Sequence, residues 1–373
     1  MADDSFLSLK LQERQQSGTL RRLKPAMDAI DFCSNDYLGL VRSHVIEEAM
    51  DKQYPDNFLP SGSTGSRLLT GNHVWFETTE TLIARFHQAE AALIFNSGFD
   101  ANLGLLSSVG SRHDTFLYDS LIHASLRDGI RLSPAASHAF AHNDADALEK
   151  SLKRAKGKCF VVVESIYSMD GDLAPLSEFS DLCDRYGAYL IVDEAHATGV
   201  IGPQGAGLVQ QLGLADRCFA RVYTFGKALG THGAAIVGSA DLRAFLINFS
   251  RPLIYSTALP PAAIAAIAAS YGIFPRMDDH RQQLRKLISL FQQAPLPWQK
   301  LLSDTPIQGV VIPGNDRVSR LAETLQSCRV DVRPILSPTV PPGTERLRIV
   351  LHSFNTGQEL EALIEALKTA DIP

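Results

Sequence analysis

Lys227 lies in the stretch Thr224-Phe225-Gly226-Lys227-Ala228-Leu229-Gly230, downstream of the apolar run Tyr189–Asp193 and the adjoining Glu194-Ala195-His196. An amine on a glycine-flanked turn can form a Schiff base with an aldehyde. An aspartate at the end of a buried strand can hold a pyridine nitrogen protonated and so make an aromatic ring an electron sink. A pyridoxal phosphate (PLP) enzyme needs both, with Lys227 holding the cofactor and Asp193 facing its ring. The string Asp193-Glu194-Ala195-His196 also matches the acidic box of a nucleotide-driven helicase. No Gly-x-x-x-x-Gly-Lys-Ser/Thr phosphate loop exists in the chain to accompany it, which removes the partner that such a box requires.

A phosphate would need a cradle. Asn96-Ser97-Gly98-Phe99 follows an apolar strand-like run and precedes a helical stretch. Backbone N–H groups at a helix N-terminus, approached closely through a glycine, suit an anion. Thr224, three residues before the lysine, could add a hydroxyl to the same phosphate. His123 could stack on a cofactor ring, and His196, three residues beyond Asp193, could meet its phenolic oxygen; a lone histidine is more often a satisfied structural residue. The turn around Ser168 reads as an Asp-Gly turn after a buried strand, and Ser256-Thr257 as a helix entry before Pro260-Pro261. Arg346 and Arg348 alternate onto one face of a strand, where one could clamp a carboxylate in bidentate fashion or both could form surface ion pairs. No set of histidines and carboxylates has metal-ligand spacing, so no metal is expected.

The elements that must position these groups show in the apolar patterning. Strand-like runs at Ala91–Phe95, 115–118, Cys159–Glu164, Tyr189–Asp193, 221–225 and Ala234–Gly238 alternate with helical patterns, which predicts an α/β fold with a mostly parallel sheet between helices. Ligands in such folds collect at the carboxyl ends of the strands, where Gly98, His123, Ser168, Asp193, His196, Thr224 and Lys227 all fall. Beyond Pro275 the pattern becomes a smaller α+β domain: helices at 279–293, 316–328 and 357–369, with strands at 307–312, 330–336 and 346–351. The expected division is 1–50 as an N-terminal segment packing near the small domain, 51–275 as the large domain and 276–373 as the small one.

At 373 residues and 45% hydrophobic composition the chain can bury more than one core, since single cores stop growing near roughly 250–300 residues. A net charge of −6 with scattered lysines and arginines argues against nucleic acid or an anionic membrane as ligand. The start of the chain is acidic, unlike a targeting peptide, and the longest apolar stretch, 258–274, is broken by Pro260 and Pro261, so the expected location is the cytoplasm. Five widely spaced cysteines suggest neither a disulfide framework nor a zinc site.

Taken together, the phrases Ser34-Asn35-Asp36-Tyr37-Leu38-Gly39, Ser97-Gly98-Phe99, His123-Ala124-Ser125, Tyr167-Ser168-Met169-Asp170-Gly171-Asp172, Asp193-Glu194-Ala195-His196, Thr224-Phe225-Gly226-Lys227, Tyr255-Ser256-Thr257 and Pro338-Thr339-Val340-Pro341 with Arg346-Leu347-Arg348 resemble the α-oxoamine synthases, a branch of the fold type I PLP enzymes, over nearly the whole chain. The resemblance implies that Lys227 holds PLP, Asp193 the pyridinium, and His196 the phenolic oxygen, with His123 stacked on the ring. It implies Gly98, Phe99 and Thr224 at the phosphate and Ser168 close to the ring. Ser256 and Thr257 would reach the phosphate from a second subunit, making a homodimer with shared active sites. Asn35 and Arg348 would hold an amino-acid carboxylate, and Arg21 and Thr339 would touch the acyl substrate.

The implied reaction is a decarboxylating condensation of an amino acid with an acyl thioester. L-Alanine with a pimeloyl thioester, on CoA or acyl carrier protein, is the expected pair. Glycine with acetyl-CoA is the alternative within the branch, and a non-catalytic regulator on the same fold the alternative outside it. Ser63-Thr64 stands where smaller residues are expected, and the hairpin before Phe32 is shortened; both lie near where the acyl chain should enter.

Overall fold

The computed structural model describes residues 4–23, 25, 28–53 and 59–370; the first three residues, part of the acidic start, lie outside them. The chain divides into two compact units, one formed by 36–168 and 173–281, the other by 1–35, 169–172 and 282–373.

The larger unit is built on a seven-stranded sheet in the order Ala91–Phe95, Ala234–Gly238, Cys218–Thr224, Tyr189–Asp193, Cys159–Glu164, Thr115–Asp119 and Ala136–Phe140. The five strands from Cys218–Thr224 to Ala136–Phe140 pair with one another in parallel, while Ala234–Gly238 is antiparallel to both of its neighbours. All six residues of Cys159–Glu164 are buried, as a strand covered on both faces requires. Ala136–Phe140, absent from the sequence expectation, forms the edge; four of its five residues are exposed, so no apolar pattern marks it.

Helices Gly98–Val109 and Ala124–Leu132 approach each other at Gly129, where a Cβ would meet the Asn102 carbonyl oxygen at 2.8 Å. That close approach brings Asn102 on the first helix to Ser125 on the second. Among the described residues no helix is long and apolar enough to cross a membrane.

The smaller unit carries an antiparallel sheet in the order Arg333–Ile335, Arg346–Val350, Ile307–Val311 and Gln299–Lys300. The sequence expectation of one strand over 330–336 is corrected: Val330–Asp331 pairs in parallel with Ile30–Asp31, and only Arg333–Ile335 joins the larger sheet of this unit. Pro334 sits on an edge strand, where its missing N–H costs no ladder bond. Helix Gly357–Thr369 begins with a reciprocal capping box between Thr356 and Glu359.

Candidate active site

Parallel strands Cys159–Glu164 and Tyr189–Asp193 lie in register so that Glu164 and Asp193 are direct neighbours at the carboxyl end of the larger sheet. Asp193 is 5% exposed; its Oδ2 accepts from Asn102 Nδ2 at 2.8 Å and its Oδ1 from the Ala195 amide at 2.9 Å. Glu164 accepts from the His123 backbone N–H and is likewise buried. Burial, reinforced by the Asp193 charge, pushes its carboxyl well above the usual range, against the opposing pull of the His123 N–H and Lys227. Adjacent carboxylates in a dry place cannot both ionise cheaply, and here Asp193 holds the better set of donors.

His123 caps the helix Ala124–Leu132, its Nδ1 accepting from the Ser125 amide at 3.2 Å and lying 2.7 Å from Ser125 Oγ. Burial lowers the pKa of its imidazole; Lys227 adds to this, while Asp193 and Asp128 oppose it. Lys227 is half-buried on the turn after Cys218–Thr224, which closes through Gly230 N to Lys227 O at 2.9 Å and Thr231 N to Phe225 O at 2.8 Å. His196 Nδ1 is 2.6 Å from the buried Tyr37 hydroxyl. Ser168 is also buried.

Gly98 opens the helix Gly98–Val109, capped by Ser97, whose side chain accepts from the Asp100 amide. A Cβ on Gly98 would meet Thr224 Cγ2 at 2.5 Å, so the bare glycine is what lets the helix end and Thr224 close on the same point. Phe99 is exposed beside it. Ser256 is half-buried and Thr257 exposed, and the Thr257 carbonyl accepts from Asn96 Nδ2 of the same chain at 2.8 Å.

Within the smaller unit, Arg348 donates to Asn35 Oδ1 at 3.0 Å, so the two residues expected to hold one carboxylate are in contact. Arg346 instead pairs with Asp170 and is buried. The two arginines that strand alternation left equivalent are thereby told apart. Asn35 sits on a loop held by Asp31, whose carboxylate accepts from the Cys33 and Ser34 amides and the Ser34 hydroxyl. Burial works against the Asp31 charge, but the Ser34 amide, His352 and the remaining loop bonds together bring its pKa below the usual value. Arg21 and Thr339 are both exposed.

Asn102, Ser125, Tyr37, Asp31 and His352 had been given no role from sequence. Tyr37 and Ser125 stood inside quoted motifs, and Asn102 closes the Ser97–Asn102 turn region as a polar residue on an otherwise apolar helix face, the one signal that could have found it. The five cysteines are unpaired. Among the described residues no cluster of His, Cys, Asp and Glu is gathered for a metal ion.

A buried acceptor at one strand end, an amine after another, and a helix terminus closed by a threonine lie at the carboxyl end of the larger sheet. The chain belongs to the aminotransferase class I and II family, whose profile matches residues 27–367. It is 40% identical to an 8-amino-7-oxononanoate synthase of Emericella nidulans, over 97% of this chain and 95% of that one. Its fold is similar to that of a Sphingomonas wittichii serine palmitoyltransferase, with TM-score 0.89, 26% identity and coverage of 99% and 98%. Another serine palmitoyltransferase structure, described as holding PLP, matches with TM-score 0.86, 25% identity and coverage of 98% and 96%. The mostly parallel sheet flanked by helices is that of a fold type I PLP-dependent transferase.

Proposed function

We propose that this chain catalyses the decarboxylating condensation of L-alanine with a pimeloyl thioester to 8-amino-7-oxononanoate, a step of biotin biosynthesis, with PLP as cofactor. Relatedness at 40% identity over nearly the full length supports the substrate pair. The gathering of Lys227, Asp193 and the Gly98–Thr224 closure at the carboxyl end of one sheet is the observation that carries the chemistry.

PLP fits the residues present. The bare Gly98 at the start of its helix, approached closely by Thr224, suits the phosphate. Asp193, buried and already oriented by Asn102 and Ala195, suits the pyridine nitrogen. When bound, the cofactor supplies an electron sink for the pair left on the amino-acid Cα.

The chain's own groups do the rest. Lys227 Nζ would hold the cofactor through its aldehyde and, once free, would serve as the general base that takes the alanine α-proton and returns a proton to the same carbon. His123 would cover one face of the ring, His196, set by Tyr37, would meet the phenolic oxygen, Ser168 would lie close to the ring, and Phe99 would stand at the phosphate end. Arg348 with Asn35 holds the alanine carboxylate, the group that leaves as CO₂, and Arg21 and Thr339 serve the acyl chain.

The enzyme is further proposed to be a cytoplasmic homodimer in which Ser256 and Thr257 serve the partner's phosphate. Exposure of Thr257, with Tyr255 72% exposed beside it, supports a loop that reaches outward, and unpaired cysteines support a reducing compartment. The decisive assay incubates the PLP-loaded protein with alanine and pimeloyl-CoA or its carrier-protein ester and detects 8-amino-7-oxononanoate and CO₂ by mass spectrometry. Equal or faster turnover of glycine with acetyl-CoA would overturn the substrate assignment.

A further inference from the structure

From His123 to Asp193 runs a file of buried hydrogen bonds whose directions follow from the chemistry of the groups. A carboxylate oxygen only accepts, so Asn102 Nδ2 gives one proton to Asp193 Oδ2 at 2.8 Å. The other Nδ2 proton goes to Ser125 Oγ at 3.0 Å. Turning the amide over would set its carbonyl oxygen against Asp193, which fixes the assignment. Ser125, receiving from Asn102, has its own proton left for His123 Nδ1 at 2.7 Å, and the Ser125 amide points to the same nitrogen at 3.2 Å. A ring nitrogen that accepts twice is the bare one, so the proton of neutral His123 is on Nε2.

Asn102 is 2% exposed and Ser125 1% exposed, so water does not compete for these bonds. Asn102 Oδ1, moreover, finds no partner. An asparagine that leaves one polar atom unsatisfied in a buried place is a poor choice for packing alone. Its value lies in the two protons on Nδ2, which neither leucine nor aspartate could supply.

We propose that Asn102 is a positioning residue which, held in direction by Asp193, sets Ser125 to lock His123 in its neutral, Nε2-protonated form. What the lock is for rests on the proposed function: an uncharged imidazole covers the cofactor without drawing on the Asp193 charge assigned to the ring nitrogen. The groups that bear on His123 are Asp193 and Glu164 from the strand ends, Lys227 from its turn, and Asp128 from the same helix as Ser125.

Long-range proton–nitrogen NMR of the cofactor-free protein, with the His123 signal assigned by its loss in His123→Gln, reads tautomer and titration directly. The wild type is expected to show the Nε2-protonated ring. In Asn102→Asp the new carboxyl, set against Asp193, has at most one proton to donate and Asp193 takes it, so Ser125 turns its own proton toward the remaining oxygen and His123 Nδ1 opens to protonation; its pKa should rise by about one unit or more. Asn102→Leu should loosen the tautomer preference without adding charge. An unchanged His123 tautomer and pKa in both variants overturns the lock and leaves Asn102 as packing. Should neither variant fold, Ser125→Ala carries the test, since it removes only the hydroxyl and must also raise the His123 pKa; no rise overturns the lock. The PLP-loaded protein separates the two levels. If His123 shifts in the free protein while the pH profile of the cofactor's visible band stays fixed, the lock stands and the assigned cofactor position falls.

Discussion

At the carboxyl end of the seven-stranded sheet the polar groups are short and buried: Asp193, Asn102 and Ser125 are joined by hydrogen bonds before any ligand arrives. On the strand Arg346–Val350 of the smaller unit the charged groups sit at the ends of long stems, and Arg348 reaches Asn35 across a loop held by Asp31 and His352. The difference fits the tasks proposed for the two regions. A group that meets charge as it develops works best when its orientation costs nothing at that moment, and burial among fixed donors achieves this. A group that captures an incoming carboxylate must first let it in, and a guanidinium on a flexible stem still offers a planar, bidentate fork on arrival.

The largest test strikes the first region. Lys227→Ala should bind PLP only non-covalently and lose turnover on the order of 10⁴-fold or more. Borohydride reduction of the wild type followed by peptide mapping must label Lys227. Co-expression of this variant with a Ser256→Ala/Thr257→Ala chain should restore activity through hybrid dimers; hybrids no better than their parents would rule out sharing of the site.

In the second region, Arg348→Ala should raise the alanine KM by roughly 10–100-fold, about 1.4–2.7 kcal/mol, with the cofactor spectrum intact, and Arg348→Lys should recover little. Arg346→Ala should do the reverse, leaving KM alone and lowering stability by about 2–3 kcal/mol, because Asp170 is left without its partner. Identical kinetic defects in both variants would erase the distinction between them.

Gly98→Ala returns to the carboxyl end of the larger sheet. Its methyl group would collide with Thr224, and PLP affinity measured by equilibrium dialysis should weaken about tenfold. Unchanged affinity would move the phosphate elsewhere.

The smallest effect is on stability. The Glu164 carboxyl is raised in the folded state, so its contribution is fully present below the unfolded value near 4.5 and is lost as pH rises toward the folded pKa. Glu164→Gln keeps an acceptor for the His123 N–H. Its Tm should match the wild type at acidic pH and exceed it at neutral pH and above; parallel Tm curves would show that Glu164 is not raised.

Sequence patterning found the buried strands because a strand covered on both faces must be apolar throughout, as in Cys159–Glu164. It missed Ala136–Phe140 because an exposed edge has no such requirement. It merged Val330–Asp331 with Arg333–Ile335 because one β-compatible run does not reveal that its halves pair with different partners. Lys227 and Asp193 were legible because their chemistry needs particular side chains in a recognisable phrase. Asn102 was not, since its meaning depends on two helices meeting at Gly129, and the same holds for Arg346, whose partner Asp170 is remote in sequence.

The smaller unit is discontinuous, assembled from 1–35, 169–172 and 282–373, with Ile30–Asp31 pairing to Val330–Asp331. During synthesis the ribosome delivers the first of these pieces long before the last. The larger unit, complete once residue 281 has emerged, can collapse on its own, while the N-terminal arm, with Phe6, Leu7, Leu9 and Leu11 exposed even in the finished fold, waits for its partners. Closing so long a loop is slow, and an arm carrying bare apolar side chains is aggregation-prone in the interval. Nascent chains stalled before residue 330 are therefore the species most in need of a chaperone, and the linear order of the gene sets the order in which the two units mature.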